Sequence, residues 1–107
     1  MSKVSDQEIV TFNENFEKCV ENIGNNQLAI DTTCLRNLVS LNQNTTRVFV
    51  EVYCSMAQNQ PAYVMTAYTV ALVYGKVFGD NSLEKMVLER AKALNATEHI
   101  LNIKISY

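Results

Sequence analysis

The stretch PAYVMTAYTVALVYGKVF, residues 61–78, decides the fold because it is apolar on almost every helical face. No charged residue occurs between Glu51 and Lys76. A membrane-spanning helix needs about 20 apolar residues in succession. Residues 61–75 number only 15, and the polar residues 58–60 precede them. The sequence therefore predicts a buried central helix and no membrane span.

The ends and one face of this helix are also marked. Pro61 suits the first turn of a helix, where its missing N–H costs nothing, and Gly79 suits the residue that ends one. Ala67, Ala71 and Gly75 lie four residues apart and form a ridge with little side chain. Such a ridge lets another backbone approach closely, either inside the chain or in a second subunit.

An amphipathic helix is predicted near the amino terminus. Ser5 and Glu8 match a capping box, in which each side chain accepts a hydrogen bond from the other residue's backbone. Apolar residues then recur at spacings of three and four, which predicts a helix that ends at Gly24. They are Ile9, Phe12, Phe16, Cys19, Val20 and Ile23.

A second amphipathic helix is predicted near the carboxyl terminus. Residues 81–84, Asn-Ser-Leu-Glu, resemble another capping box. Five side chains would face the core, namely Leu83, Met86, Val87, Ala91 and Leu94. Four charged side chains would face water, namely Glu84, Lys85, Glu89 and Lys92.

Between these helices the pattern is less decisive. Asp31 or Thr32 would cap a short helix with Cys34, Leu35, Leu38, Val39 and Leu41 turned inward. Leu28 and Ile30 alternate with Ala29, which allows a brief extended segment before it. Apolar residues alternate with others in 46–54, as in a strand. A helix explains the segment too, because it would place Val48, Phe49, Val52, Tyr53 and Met56 on one face. We favour a helix capped by Asn44 or Thr45, because the pattern continues past residue 54.

The end of the chain has a strand pattern. Leu101, Ile103, Ile105 and Tyr107 alternate with polar residues, a period of two. A single strand leaves the N–H and C=O groups of both edges unpaired, so a partner is required. That partner is residues 27–31, residues 48–53, or the same strand of a second copy, which would make a homodimer.

Length, charge and cysteine content bound the class of protein. The 107 residues suit one domain, residues 1–107, since domains most often hold roughly 100–150 residues. A net charge of −2 with scattered basic residues makes nucleic acid an unlikely partner. The amino terminus MSKVSDQEIV has no apolar stretch typical of a signal, which predicts a cytoplasmic location. We therefore expect Cys19, Cys34 and Cys54 to be reduced, buried thiols.

Candidate catalytic residues are few. His99 is the only histidine, no glycine-rich phosphate loop occurs, and the acidic residues follow helix faces. We therefore expect no enzyme, no cofactor and no metal. Tyr63 and Tyr74 lie eleven residues apart on one helix face, where they either line a groove or reach the edge of the core.

The sequence thus predicts a mainly α fold, a compact bundle of four to five helices with a short C-terminal β-strand. The function expected is that of a non-enzymatic protein–protein interaction protein: a small regulatory, adaptor or inhibitor protein, with a homodimer as one form. Its interaction residues would be Leu101, Ile103, Ile105, Tyr107, Tyr63 and Tyr74. The alternative is a small-ligand-binding or sequestering protein with an apolar pocket lined by Tyr and Met. The richness in asparagine is typical of an AT-rich genome such as that of a virus.

Overall fold

The computed structural model describes residues 4–24 and 27–100. The described part contains five α-helices and a two-stranded antiparallel sheet, so the predicted mainly α class is confirmed. The predicted C-terminal strand lies outside the described residues. The elements are α1 (Asp6–Lys18), β1 (Val20–Gly24), β2 (Gln27–Ile30), α2 (Thr32–Leu41), α3 (Gln43–Met56), α4 (Tyr63–Phe78), α5 (Ser82–Ala93) and a 3-10 turn at Thr97–His99.

Helix α4 is the centre of the bundle, as its almost entirely apolar sequence predicts. It packs against α2, α3 and α5. Its buried side chains include Val64, Val70 and Val73, as well as the two alanines of the small-residue ridge, Ala67 and Ala71. The ridge at these two positions therefore packs inside the chain. No helix in the described part is both long enough and apolar enough to cross a membrane.

The helices run up and down the bundle. The disulfide Cys19–Cys34 joins the end of α1 to the start of α2. The Tyr74 hydroxyl lies 3.4 Å from Gln43 Nε2, which joins the end of α4 to the start of α3. Phe12 and Phe16 both pack on Phe49, so α1 lies alongside α3. Short connections between neighbouring helices favour this antiparallel order.

Helix α1 confirms the predicted start but not the predicted end. The capping box is present, with Glu8 N–H donating to Ser5 Oγ and Ser5 N–H donating to Glu8 Oε1, both at 3.2 Å. The helix ends at Lys18, and Val20–Gly24 is a strand instead of a last helical turn. The spacing of Cys19, Val20 and Ile23 allows either structure, and pairing with Gln27–Ile30 decides it. The extended segment before α2 is confirmed as β2.

A single residue, Asn42, joins α2 to α3. The carbonyl oxygen of Asn42 accepts from Thr46 N–H at 2.8 Å and from Thr46 Oγ1 at 2.7 Å, while its Nδ2 donates to Leu38 O at 2.8 Å. The predicted caps Asn44 and Thr45 therefore lie inside α3. Leu41, predicted to face inward, is 83% exposed because α2 ends there and the chain turns at once.

Residues 46–54 are helical, which confirms the favoured prediction over the strand. The buried face is rotated from the expected one, with Met56 exposed and Val48 and Val52 half-buried. Thr46, Phe49, Val50 and Cys54 occupy the core instead. Thr46 is buried without loss because its hydroxyl is hydrogen-bonded to Asn42.

The turn between α4 and α5 contains a second departure from the sequence prediction. Gly79 ends α4 with a φ of 65°, as expected of a helix-ending glycine. Asp80 Oδ1 accepts from Ser82 N–H at 2.9 Å, so the cap comes from Asp80 and the predicted Asn81 cap is wrong. The hydrogen bonds from Ser82 lower the pKa of Asp80.

Glu84, predicted to face water, is half-buried, and its carboxylate lies against Gly75 of α4. A Cβ atom built on Gly75 would meet Glu84 Oε1, so the absence of a side chain there makes room for the carboxylate. Burial raises the pKa of Glu84, and the positive charge of Lys76 opposes that effect. An ionised Glu84 thus costs stability, and this cost grows as the pH rises from the ordinary pKa of a glutamate through the raised one.

The aromatic cluster should carry much of the stability. Phe49 is 0% exposed, and the centroid of its ring lies 4.7 Å from that of Phe12 and 4.5 Å from that of Tyr53. We expect Phe49→Ala to lower the free energy of unfolding by about 3–5 kcal/mol in urea titrations. The control Leu41→Ala, at an exposed site, should change it by less than about 0.5 kcal/mol. Equal effects would show that this cluster is not the core.

Gly75→Ala tests the contact between α4 and α5. Alanine favours the helix by about 0.5–1 kcal/mol over glycine, and the flexible Glu84 side chain can move into water. We expect a net gain in the free energy of unfolding at pH 7 and a pKa of Glu84 closer to its ordinary value, measured by NMR titration. Glu84→Gln, which removes the charge and leaves Gly75 unchanged, is the matched control. A loss of more than about 1 kcal/mol in Gly75→Ala would show that the carboxylate is fixed in place.

Candidate functional site

The alternating directions of the helices bring several loops and helix ends together at one end of the bundle, which we call the hairpin end. Helices α1, α3 and α5 finish there, and α2 and α4 begin there. The ring of Tyr53, near the end of α3, lies edge-on to that of Tyr63 at 5.5 Å. The hairpin end comprises the hairpin at residues 20–30, the loop at 57–62 and the segment at 94–100.

The hairpin is a small sheet with free edges. Its strands pair in the register Val20 with Ile30, Glu21 with Ala29 and Asn22 with Leu28, with an irregularity before the turn. In residues 4–24 and 27–100 no third strand pairs with either of them. Each strand therefore has an outer row of backbone N–H and C=O groups that another strand can use.

A disulfide closes the base of the hairpin, which corrects the prediction of reduced thiols for two of the three cysteines. Cys19 and Cys34 are bonded, with their Cα atoms 5.5 Å apart and a sequence separation of 15. Beside the bond, Asp31 N–H donates to Cys19 O at 2.7 Å. The sequence conceals this pair because only the pairing of β1 with β2 brings the two cysteines together.

The third cysteine fits the prediction. Cys54 is a free, buried thiol in α3, and burial raises its pKa. A raised pKa keeps the sulfur protonated and unreactive at neutral pH. Cys54 is therefore a core residue with no chemical role suggested by its surroundings.

A shallow cleft opens at the hairpin end, between the start of α4 and the segment after α5. Its volume is about 420 Å³. The lining is rich in amides, not in the Tyr and Met side chains expected of an apolar pocket. It consists of Asn59, Gln60, Pro61, Ala62, Leu94, Asn95, Ala96, Glu98 and His99.

His99 is the one candidate acid or base identified from the sequence, and it lies at the edge of this cleft. Its Nε2 atom is 3.8 Å from Glu98 Oε1, and its side chain is partly exposed. Among the described residues, no three His, Cys, Asp or Glu side chains come together as a possible metal site. The carboxylate beside His99 is thus the exposed one of Glu98.

The two predicted interaction tyrosines lie at opposite ends of α4. Tyr63 is half-buried at the hairpin end, and the Tyr53 hydroxyl beside it donates to Asn13 Oδ1 at 3.0 Å. Tyr74 is 1% exposed, packed on Phe78 with ring centroids 4.7 Å apart. Tyr74 is therefore a core residue, and the two rings do not line one groove.

The other four predicted interaction residues, Leu101, Ile103, Ile105 and Tyr107, lie outside the described residues. Their point of departure is described, because Ile100 is 5% exposed and belongs to the core cluster. The described part of the chain therefore ends in the core, at the hairpin end. The same end carries the free strand edges.

No protein-family model, no curated protein and no solved structure matches this chain.

The disulfide gives a stability prediction for this end. A cross-link that closes a loop of about 15 residues stabilises a fold by roughly 3 kcal/mol. We expect the double variant Cys19→Ala, Cys34→Ala to lose about 2–4 kcal/mol of unfolding free energy relative to the oxidised protein. Part of this is lost packing at the buried Cys19, and the wild-type chain under reducing conditions separates that part from the cross-link. A double variant as stable as the oxidised protein would contradict the prediction.

Proposed function

We propose that this chain is a non-enzymatic protein–protein interaction protein, a small regulatory, adaptor or inhibitor protein, that binds its partner by strand addition at the hairpin end. The observation that carries the proposal is the two-stranded sheet, whose outer edges pair with no other strand in the described part of the chain. Strand addition to a sheet edge is a common mode of peptide recognition, with main-chain hydrogen bonds providing affinity. Side chains at alternate positions provide specificity.

The sequence after Ile100 also supports the hairpin end as the contact surface. Residues 101–107 have the alternation of a strand, with Leu101, Ile103, Ile105 and Tyr107 on one face. Seven extended residues span about 23 Å at roughly 3.3 Å each. That length is comparable with the 26 Å width of the molecule. The segment can therefore reach across its own end of the bundle or onto a neighbouring molecule.

A homodimer is the form of this proposal that needs no other protein. Residues 101–107 of one copy would pair with a strand edge of the second, and a twofold axis would repeat the contact. The alternative within one chain is pairing of this segment with β2. A protein partner of unknown identity would take the place of the second copy.

Light scattering on the full chain tests the homodimer. We expect a dimer mass for the wild type and a monomer mass for Ile103→Lys, because a charge on the apolar face opposes burial of the strand. Asn102→Lys adds the same charge on the opposite face and should remain dimeric. A wild type that stays monomeric at all concentrations, or an Ile103→Lys variant that stays dimeric, would reject this form.

A protein partner is tested by affinity purification of the same three chains from the native source, followed by mass spectrometry. Support requires a protein that the wild type and Asn102→Lys retain and that Ile103→Lys loses. A protein retained equally by all three chains is bound elsewhere. That result would reject the hairpin end as the contact surface.

The cleft supports a second candidate function, that of a small-ligand-binding or sequestering protein. Its amide groups, from Asn59, Gln60 and Asn95, can donate and accept hydrogen bonds, which suits a small polar molecule. Native mass spectrometry of the protein purified from its own source tests this candidate. A retained molecule that is lost in Asn59→Leu would support it, and retention by that variant would reject the cleft.

The cytoplasmic location stays a prediction. Stable disulfides are rare in the cytosol, where the known ones are mostly transient or redox-sensing. The Cys19–Cys34 bond therefore fits a cytoplasmic protein only if the bond can be reduced.

A further inference from the structure

We infer that the Cys19–Cys34 disulfide is a redox-controlled link: cellular thiols reduce it, and the hairpin at residues 20–30 then loses its fixed strand pairing. One part of this inference, the effect on binding, rests on the proposed function, in which the hairpin edge is the surface that binds the partner. Reduction would thus remove the surface that the partner binds.

The position of the link is the first argument. The disulfide encloses the whole hairpin, because β1 begins one residue after Cys19 and β2 ends four residues before Cys34. The first pair of the ladder, Val20 with Ile30, lies next to the bond. The disulfide therefore fixes the two strand ends at the point where pairing starts.

The weakness of the hairpin without the link is the second argument. An isolated two-stranded hairpin is at best marginally stable in water. β1 contacts α1, the helix that directly precedes it in the chain, and Val20 and Ile30 are only half-buried at the edge of the core. The cross-link therefore supplies a large part of what holds the two strands together.

The bundle, by contrast, does not depend on the link for its core. Helix α4 and its neighbours α3 and α5 lie outside the closed loop of residues 19–34. The core residues Phe49, Val70 and Val87 come from these three helices and are fully buried. Loss of the disulfide can therefore release the hairpin while the rest of the chain stays folded.

The chemistry is thiol–disulfide exchange with a low-molecular-weight thiol such as glutathione. A glutathione thiolate attacks the sulfur of the half-buried Cys34, forms a mixed disulfide there and releases Cys19 as a thiolate, which takes up a proton. A second glutathione thiolate attacks the glutathione sulfur of the mixed disulfide and releases Cys34. Two electrons pass from the two glutathiones to the protein, and the products are one glutathione disulfide and two protein thiols.

The third cysteine does not interfere with this exchange. Cys54 is buried in α3, and its thiol has a raised pKa. A protonated, buried thiol is a poor nucleophile towards a disulfide. Exchange is therefore confined to Cys19 and Cys34.

Hydrogen exchange with mass spectrometry on the full chain tests the inference, with and without a phosphine reductant. Reduction should lower the protection of amides 20–24 and 27–30 by about ten-fold or more and remove most of it, whereas the amides of α3 and α4 should stay protected, lowered no further than the loss of global stability requires. Cys54→Ala should respond as the wild type does. The double variant Cys19→Ala, Cys34→Ala should resemble the reduced protein under both conditions. Unchanged hairpin protection would overturn the inference, and so would loss of protection throughout the bundle, since the bond would then be a staple of the whole fold.

Alkylation of the protein after equilibration in glutathione buffers provides the second measurement. We expect Cys19 and Cys34 to pass from bonded to free as the ratio of reduced to oxidised glutathione rises. A bond that persists at every ratio would overturn the inference.

Light scattering and partner capture separate this inference from the proposed function. An oxidised chain that binds neither itself nor a partner counts against the proposed function alone. Binding by the oxidised chain that survives complete reduction overturns the inference alone.

Discussion

Burial of the mostly apolar helix α4 is the constraint on which the rest of the structure depends. A helix that is apolar on nearly all sides must be covered on all sides, and α2, α3 and α5 provide that cover. Because the connections between α3, α4 and α5 are short, these helices must alternate in direction. The alternation brings the end of α3, the start of α4 and the end of α5 to one end of the bundle. The position of the cleft and that of Ile100 both follow from that arrangement.

The features that the sequence predicts well are those with local causes. The capping box of Ser5 and Glu8, the Asp31 cap of α2 and the glycine that ends α4 each depend on residues within one turn. The central position of α4 follows from its composition alone. The helical state of residues 46–54 is predicted from the apolar pattern, which continues past residue 54 to the end of the helix.

The features that the sequence conceals depend on contacts between distant residues. Val20 and Ile23 continue the apolar spacing of α1, so periodicity cannot show that they belong to a strand. The disulfide depends on the same hairpin, because Cys19 and Cys34 approach only when the chain turns back between them. Glu84 looks like a surface residue until α4 is seen to present a glycine beside it. The candidate site depends on the first two of these contacts, the hairpin and the disulfide. Of this site, the sequence reveals the extended segment before α2 and the strand pattern of residues 101–107.

The corner at Asn42 affects how the protein can change. One residue terminates α2 and starts α3, and both its backbone and its amide are occupied by hydrogen bonds. Because Asn42 is the whole connection, it leaves no room for an insertion or a hinge. The two helices should therefore move together as one rigid unit. Length variation among natural relatives should therefore accumulate at the hairpin turn and the 57–62 loop, both at the opposite end from this corner. Evolution can reshape the proposed contact surface while the other end stays fixed.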